Sequence, residues 1–548
     1  MRKFLAVLVA AIVATGLTIG LTSTGSGAHE APSAAGDRAA TAPYVPPPLT
    51  WGSCHDATLT AYLAKCARLV VPLDYADPTG PKIRLAVSRV LHTSSDADYQ
   101  GVMLVNPGGP GGSGLIMSVY QTFVPNNAGG LYDWIGFDPR GVGSSTPALA
   151  CDAKFFEPPR PAYRPTKPSI MKRWVHRSKA YARDCAQSRR SDLFKHVKTR
   201  DTVKDMESLR IALGQEQINF YGFSYGTYLG SVYATLHPAR VRRFVFDGTV
   251  NPDRVFYKSN QDQDRAFQKS FNVYFTWLAK HRGAYHVGAT RKQVRHRYLA
   301  TIKKLDRNAA RGTLGGSELT DVFTSAGYYV YGWDEIADAW SRYLNKGKAD
   351  HLIDLYQGAN DLSRGGDNGY AMYLGTQCTD AAWPQSQARL NRDNRRLDRR
   401  FDYMTWSNAW FNGPCAYWKY GHGKPVKVDG SEVTSPILMV GETFDAATPF
   451  SGSLRVRTLF PTASLIEGKN GTTHAGSLSG IACTDNAIAR YLTDGSVPTR
   501  LSGRQSDKVC RPVPPPAATK AGSRAVTGQR AVTLDLLRSA LQAAQLHR

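Results

Sequence analysis

Ile218-Asn219-Phe220-Tyr221-Gly222-Phe223-Ser224-Tyr225-Gly226-Thr227 carries a short apolar run into a turn with a glycine two residues either side of a serine. A strand that reverses at once into a helix forces strained backbone geometry on its turn residue, and flanking glycines let strand and helix approach closely. The spacing therefore predicts that Ser224 is presented rather than buried. The following residues agree with this, since Leu229, Gly230, Tyr233 and Ala234 recur at helical spacing and the run stops at Pro238. This is the sequence form of a nucleophile elbow. A glycine- and serine-rich turn also produces GxSxG by chance, so the rest of the chain decides its meaning.

Working outward, residues 202–213 place Val203, Met206, Leu209 and Leu213 on one helical face, with Thr202 as cap and Gly214 as stop. Residues 69–73 and 83–90 read as strands, the second with clean alternation, and Gly101-Val102-Met103-Leu104-Val105 as a fully buried strand. The latter opens on Asn106-Pro107-Gly108-Gly109-Pro110-Gly111-Gly112-Ser113-Gly114, whose five glycines leave backbone N–H groups free to face a ligand. A phosphate cradle is disfavoured because the lysine of a Walker loop is missing. A further strand at 134–137 runs into Asp138-Pro139-Arg140-Gly141, and a long, basic, proline-spotted excursion follows to about residue 198.

After a strand ending in Asp247-Gly248, residues 251–412 change texture to tryptophan, tyrosine and charged residues at helical spacing, a helical insertion. Strand character returns at 436–440 and opens onto Gly441-Glu442-Thr443-Phe444-Asp445-Ala446-Ala447-Thr448-Pro449. Residues 463–467 read as the last strand, before Asn470-Gly471-Thr472-Thr473-His474-Ala475-Gly476.

At 548 residues, 42% hydrophobic, the chain can bury a large core and is too long for one minimal domain. Met1-Arg2-Lys3, an apolar run from residue 4 to about 21, and Ser26-Gly27-Ala28 have the layout of a cleaved secretory signal over 1–28. An uncleaved anchor is the alternative. Residues 29–49, ending in three prolines, read as a disordered leader or pro-segment. The expected organisation is then a first core part over 50–250, a cap insertion over 251–412, a second core part over 413–510, and a linker with a tail helix over 511–548.

The eight cysteines fall into sequence-local pairs, as an exported chain favours: Cys54 with Cys66, Cys151 with Cys185, Cys378 with Cys415, and Cys483 with Cys510. Each such closure is worth about 3 kcal/mol in the chain-entropy model. There is no CxxC and no HExxH, so neither a metal nor another cofactor is expected. A net charge of +24 suits a weak association with an anionic cell-wall surface, but the run at 389–400 mixes acids with bases and reads as a solvated helix face. No nucleic-acid motif accompanies it, and a monomer is expected.

Ser, Asp and His in chain order, after a Gly-rich loop and with a helical insertion between, is how the α/β-hydrolase fold lays out its triad. On the Gly-rich loop, Asp138-Pro139-Arg140-Gly141, Gly222-Phe223-Ser224-Tyr225-Gly226-Thr227, Asp247-Gly248, Cys378-Thr379-Asp380, Asp445-Ala446-Ala447-Thr448-Pro449 and Thr473-His474-Ala475-Gly476, residues 50–510 resemble the α/β-hydrolases of the prolyl-aminopeptidase type. Among these, the secreted tripeptidyl-aminopeptidase group of actinobacteria is the most similar. One departure is Asn106-Pro107, where many relatives have His-Gly.

The resemblance implies a mostly parallel sheet with helices on both faces and an inserted cap. It also implies a secreted serine exopeptidase that releases tripeptides from free N-termini of peptides and proteins. Ser224 would be the nucleophile, His474 the base and Asp445 its orienting acid, with Asp247, which also ends a strand, as rival. Tyr225 and Gly109 N–H groups would form the oxyanion hole. For the substrate's cationic amine the candidates are the acids Asp334, Glu335 and Asp380, each of which can equally be an ordinary surface or capping acid. A secreted carboxylesterase or lipase with the same triad is the alternative.

Overall fold

The computed structural model describes residues 44–518 except 361 and 363–365. The signal segment expected over 1–28, the leader up to residue 43 and the tail helix expected near 531–546 lie outside the described residues. Among the described residues, ten strands form one sheet: β1 (Gly52–Ser53), β2 (Lys65–Pro72), β3 (Lys82–Val90), β4 (Val102–Asn106), β5 (Asp133–Phe137), β6 (Ile218–Phe223), β7 (Val241–Asp247), β8 (Ile437–Glu442), β9 (Ala463–Gly468) and β10 (Lys508–Cys510). Their order is β1-β2-β3-β5-β4-β6-β7-β8-β9-β10. Pairing is antiparallel from β1 to β5 and parallel from β5 to the far edge.

Every residue of β4, β5, β6 and β8 is buried, which explains why these segments read as apolar runs without alternation. Helices cover both faces. Phe220 of β6 joins a cluster with Val203, Met206, Leu209 and Val232, while Tyr221 and Phe223 point to the opposite cluster with Tyr120, Ile488 and Tyr491. The expected fold class is thus observed.

The helical region divides in two. Helices Tyr257–Lys280, Arg291–Leu305, Gly316–Tyr328, Trp333–Lys346 and Asp350–Ala359 enclose an aromatic core of their own, with Phe271, Phe275, Tyr298, Phe323 and Trp340 among its members. Residues of Asn368–Asp380 and Thr405–Phe411 instead join the core beneath the sheet.

Four readings of the sequence change. A helix, Pro168–Gln187, occupies the basic excursion; it buries Ile170, Trp174, Ser178, Tyr181 and Cys185, a stripe obscured by interspersed lysines and arginines. The helix before the elbow starts at Thr199, three residues earlier than its apolar pattern, because Asp201 accepts the Lys198 N–H and closes the first turn. Residues 463–467 are not the last strand, since β10 pairs parallel to β9 over three residues. Parts of the flanking low-complexity segments are packed: the Tyr44 hydroxyl donates to the Val70 carbonyl at 2.9 Å, and Val513 is buried.

All four expected disulfides are present. A buried ion pair locks the core's inner layer: Arg140 Nε and Nη2 donate to Asp205 at 2.7 and 2.6 Å, and Nη1 donates to the carbonyls of Leu73 and His196. Removing one partner of such a pair strands a buried charge. Asp205→Ala is therefore expected to cost about 3–5 kcal/mol of stability, read as a lower urea midpoint; a loss under about 1 kcal/mol would show that water can replace the carboxylate.

Candidate active site

Ser224 stands between β6 and the helix Tyr225–Leu236 with φ +56° and ψ −124°, a conformation that costs a non-glycine residue about 1–3 kcal/mol. Its surroundings leave no alternative. A Cβ at Gly222 would lie 2.6 Å from the Gly226 carbonyl oxygen, and one at Gly226 2.6 Å from the Asn106 carbonyl oxygen, so helix, β6 and β4 meet in contact that only glycines permit. The Ser224 N–H donates to the Asp247 carbonyl at 2.9 Å. Thr227 Oγ1 donates to the Ser224 carbonyl at 2.6 Å and accepts the Val250 N–H at 3.0 Å, tying the elbow to the segment after β7. Among buried neighbours, Ser224 alone of residues 221–230 keeps partial exposure.

The Gly-rich loop lies against this turn. A Cβ at Gly108, whose φ is +95°, would stand 2.9 Å from both Ser224 Cβ and the Tyr225 nitrogen. Asn106 Oδ1 accepts the Gly108 N–H at 3.0 Å, so this asparagine makes the local turn itself. The loop's far end hangs on Asp138, whose Oδ1 accepts Ser113 Oγ at 2.6 Å, Gly114 N at 2.9 Å and Leu115 N at 3.2 Å, while Oδ2 accepts Ser144 N at 2.7 Å. Burial pushes this carboxyl's pKa up and the four donors oppose the shift. Tyr225 is the first residue of its helix, where a backbone N–H has no intrahelical acceptor.

Asp445 follows β8 and His474 follows β9. His474 Nδ1 lies 2.8 Å from Asp445 Oδ2, and both side chains are buried. Thr448 Oγ1 donates to the same carboxylate oxygen at 2.8 Å and lies 3.2 Å from His474 Nδ1. Asp445 Oδ1 accepts the N–H groups of Ala447 and Thr448, each at 2.9 Å. A proton on Nδ1 directed to the carboxylate leaves Nε2 as the basic nitrogen. The ring lies over Gly248, where a Cβ would come within 3.0 Å of Cε1. Gly248 follows Asp247, whose carbonyl holds the Ser224 N–H, so the imidazole and the serine rest on neighbouring peptide units.

The rival acid is used elsewhere. Asp247 Oδ2 accepts the Ser477 N–H at 2.8 Å, and burial pushes its pKa up to about 6. Asp380, a candidate for the substrate's amine, is bonded to Thr199: its carboxylate accepts Thr199 N at 3.0 Å and Thr199 Oγ1 at 2.5 Å, which leaves the Tyr225 hydroxyl to donate to Thr199 at 2.6 Å. It braces the elbow helix through Thr199, and its position after Cys378 carried no sign of that. Asp334 accepts the Tyr285 hydroxyl and Glu335 lies 3.3 Å from His351 Nε2, partners internal to the cap.

Residues of the helical region that carry no sequence signal pack against these loops. The Tyr328 carbonyl accepts the His474 N–H at 2.8 Å, and the rings of Tyr328 and Tyr329 stand 5.6 and 6.2 Å from the imidazole. Gln263 Nε2 donates to the Ala447 carbonyl at 2.7 Å. On the other side, a Cβ at Gly111 would approach Tyr373 N within 2.8 Å, and Tyr373 donates its hydroxyl to Asn412 Oδ1 at 3.0 Å. Asn412 also borders a separate pocket with Asn260, Asp264, Trp383, Gln387 and Asn408, and no residue of the Gly-rich loop, the elbow or the His474 loop lines it. A tyrosine pair in a long insertion gives no sequence signal for what it faces. No group of acids, histidines and cysteines suited to a metal ion occurs among the described residues.

Two family models match the chain, one described as alpha/beta hydrolase fold over residues 101–368 and one as TAP-like protein over 402–510. The chain is 37% identical over 459 residues to a tripeptidyl aminopeptidase of Streptomyces coelicolor, covering 82% of this chain and 83% of that protein. It is 27% identical over 480 residues to the serine protease Hip1 of Mycobacterium tuberculosis (82% and 90% covered). A protein of the same organism named carboxylesterase B is 29% identical over 490 residues (86% and 92% covered).

The geometry separates the two acids by experiment. Asp445→Asn is expected to slow fluorophosphonate labelling of Ser224 by on the order of 10⁴, since an amide in that place favours the wrong imidazole tautomer. Asp247→Asn should stay within about tenfold of the parent, and the reverse ranking would transfer the role to Asp247.

Proposed function

The chain belongs to the tripeptidyl-aminopeptidase family of α/β-hydrolases and is a serine peptidase acting on peptides, and from that premise we propose that it is a secreted exopeptidase that removes tripeptides from free N-termini. The observation that carries this reading is the imidazole of His474, bonded to Asp445 at 2.8 Å and resting on the peptide unit next to the one that holds Ser224.

Ser224 Oγ attacks the scissile carbonyl as its proton passes to His474 Nε2. Asp445 orients the ring and stabilises the imidazolium. The tetrahedral oxyanion is met by the N–H groups of Tyr225 and Gly109, a donor of this kind being worth about 3 kcal/mol. His474 then protonates the leaving amine, the C–N bond breaks, and water deacylates Ser224 through the same base. The cap, bonded to both the Asp445 and the His474 loops, supports a groove closed at one end.

Four disulfides suit an oxidising compartment, which supports secretion, and the net charge of +24 supports a weak association with an anionic cell-wall surface. The similarity to a protein named carboxylesterase B favours one second reading, an esterase with the same residues. A screen of free-amine and N-acetylated mono-, di- and tripeptide chromogens beside short acyl esters separates the two. Free-amine tripeptide substrates are expected to be cleaved and their acetylated forms to be inert, and Ser224→Ala should lower turnover by on the order of 10⁴ or more with the fold intact. Equal rates on blocked and free peptides would point to an endopeptidase, and turnover of esters alone to the esterase.

A further inference from the structure

The loop that carries His474 is wrapped around a carboxyl that the reaction does not consume. Glu442 closes β8 three residues before Asp445 and is 5% exposed. Its Oε2 accepts the N–H of Thr473, the residue before His474, at 2.5 Å, and its Oε1 accepts the Val513 N–H at 2.7 Å. Its own carbonyl accepts the Asp445 N–H at 3.1 Å. Acid and base therefore hang from one residue, the acid from its main chain and the base from its side chain.

The loop is shaped to this carboxyl. A Cβ at Gly471 would lie 2.3 Å from Oε2 and 2.4 Å from Pro512 Cβ, and one at Gly468 would lie 2.8 Å from Glu442 Cγ. Burial is costly for a carboxylate and pushes this one up to about 8, with the Val513 and Thr473 N–H groups as the main opposing contacts. An apolar side chain would fill the space at less cost, but it would leave two buried N–H groups unpaired.

The second oxygen extends the link. Val513 follows β10, is buried, and joins the aromatic core of the cap, with Ala518 packed against the same cluster. The segment 511–518 thus passes from the last strand to the cap, and its anchor point is the carboxyl that holds the His474 loop.

We propose that Glu442 is a positioning residue for His474, fixing the base relative to Asp445 and making that placement depend on the seating of residues 511–518. The inference rests on His474 acting as the base. A shift of about 1 Å in a catalytic group can cost about 10²-fold in rate, so the effect falls on kcat and leaves KM nearly unchanged.

The test compares Glu442→Ala, Glu442→Gln, Val513→Pro and a His474→Ala control in the full chain. The substrate is an activated acetate ester, which needs the base but no peptide subsite, and rates are taken per mole of folded protein, with folding checked by circular dichroism. Glu442→Ala should lose about 10²-fold in kcat with KM within about threefold. Glu442→Gln, which keeps one acceptor, should lose roughly tenfold, and Val513→Pro, which removes one donor, should lose less than Glu442→Ala. If Glu442→Ala does not fold, Glu442→Gln decides. Parental kcat in the Glu442 variants would overturn the proposal, as would a loss confined to KM. Full turnover by His474→Ala would instead overturn the assignment of the base.

Discussion

The close approach of β4, β6 and the helix Tyr225–Leu236 is the constraint on which the rest depends. Two glycines, Gly222 and Gly226, bring backbone to within contact of backbone, and the strain this imposes is concentrated at Ser224. Strain of this kind persists only where the surroundings over-determine it. Here they do: Asp247 holds the serine's N–H, Thr227 holds its carbonyl, and the Gly-rich loop presses on its Cβ.

The site then assembles because the sheet ignores sequence distance. β7 and β8 pair in parallel, Asp247 opposite Val440, although the whole helical region lies between them in the chain. Strand ends that open on one edge of a parallel sheet bring their loops together, so the segments after β6, β7, β8 and β9 converge. The cap does more than cover that edge. Its Tyr328 carbonyl and Gln263 carboxamide bond to the loops bearing His474 and Asp445, so the placement of both depends on a cap whose core is separate from the sheet.

Several carboxylates in this molecule are buried, and most of them organise backbone. Asp138 gathers the end of the Gly-rich loop, Asp380 the start of the helix at Thr199, Asp247 the turn at Ser477 and Glu442 the His474 loop. Backbone N–H groups at loop starts must find acceptors once water is excluded, and a carboxylate takes several at once. Asp445 does this too, through Ala447 and Thr448, and differs in that its second oxygen faces an imidazole.

The residues alone determined the fold class, the elbow at Ser224, the Gly-rich loop, the chain order of Ser224, Asp445 and His474, and the four cysteine pairs. These follow from local requirements: glycine where backbones meet, apolar runs where strands are buried on both faces, and even cysteines in short loops. Tertiary structure decided what each acid does. Asp247 ends a strand and Asp445 stands just after one, and only the packing of the loops shows which one meets His474. Asp380 reads in the sequence as one of three candidate acids for the substrate's amine, and its carboxylate accepts both the N–H and the hydroxyl of Thr199; residues 511–518 read as a linker although Val513 donates to Glu442. A carboxylate has no periodicity and no preferred neighbour in the chain; its partner is whichever donor the fold buries beside it, and that is set by contacts between residues far apart in sequence.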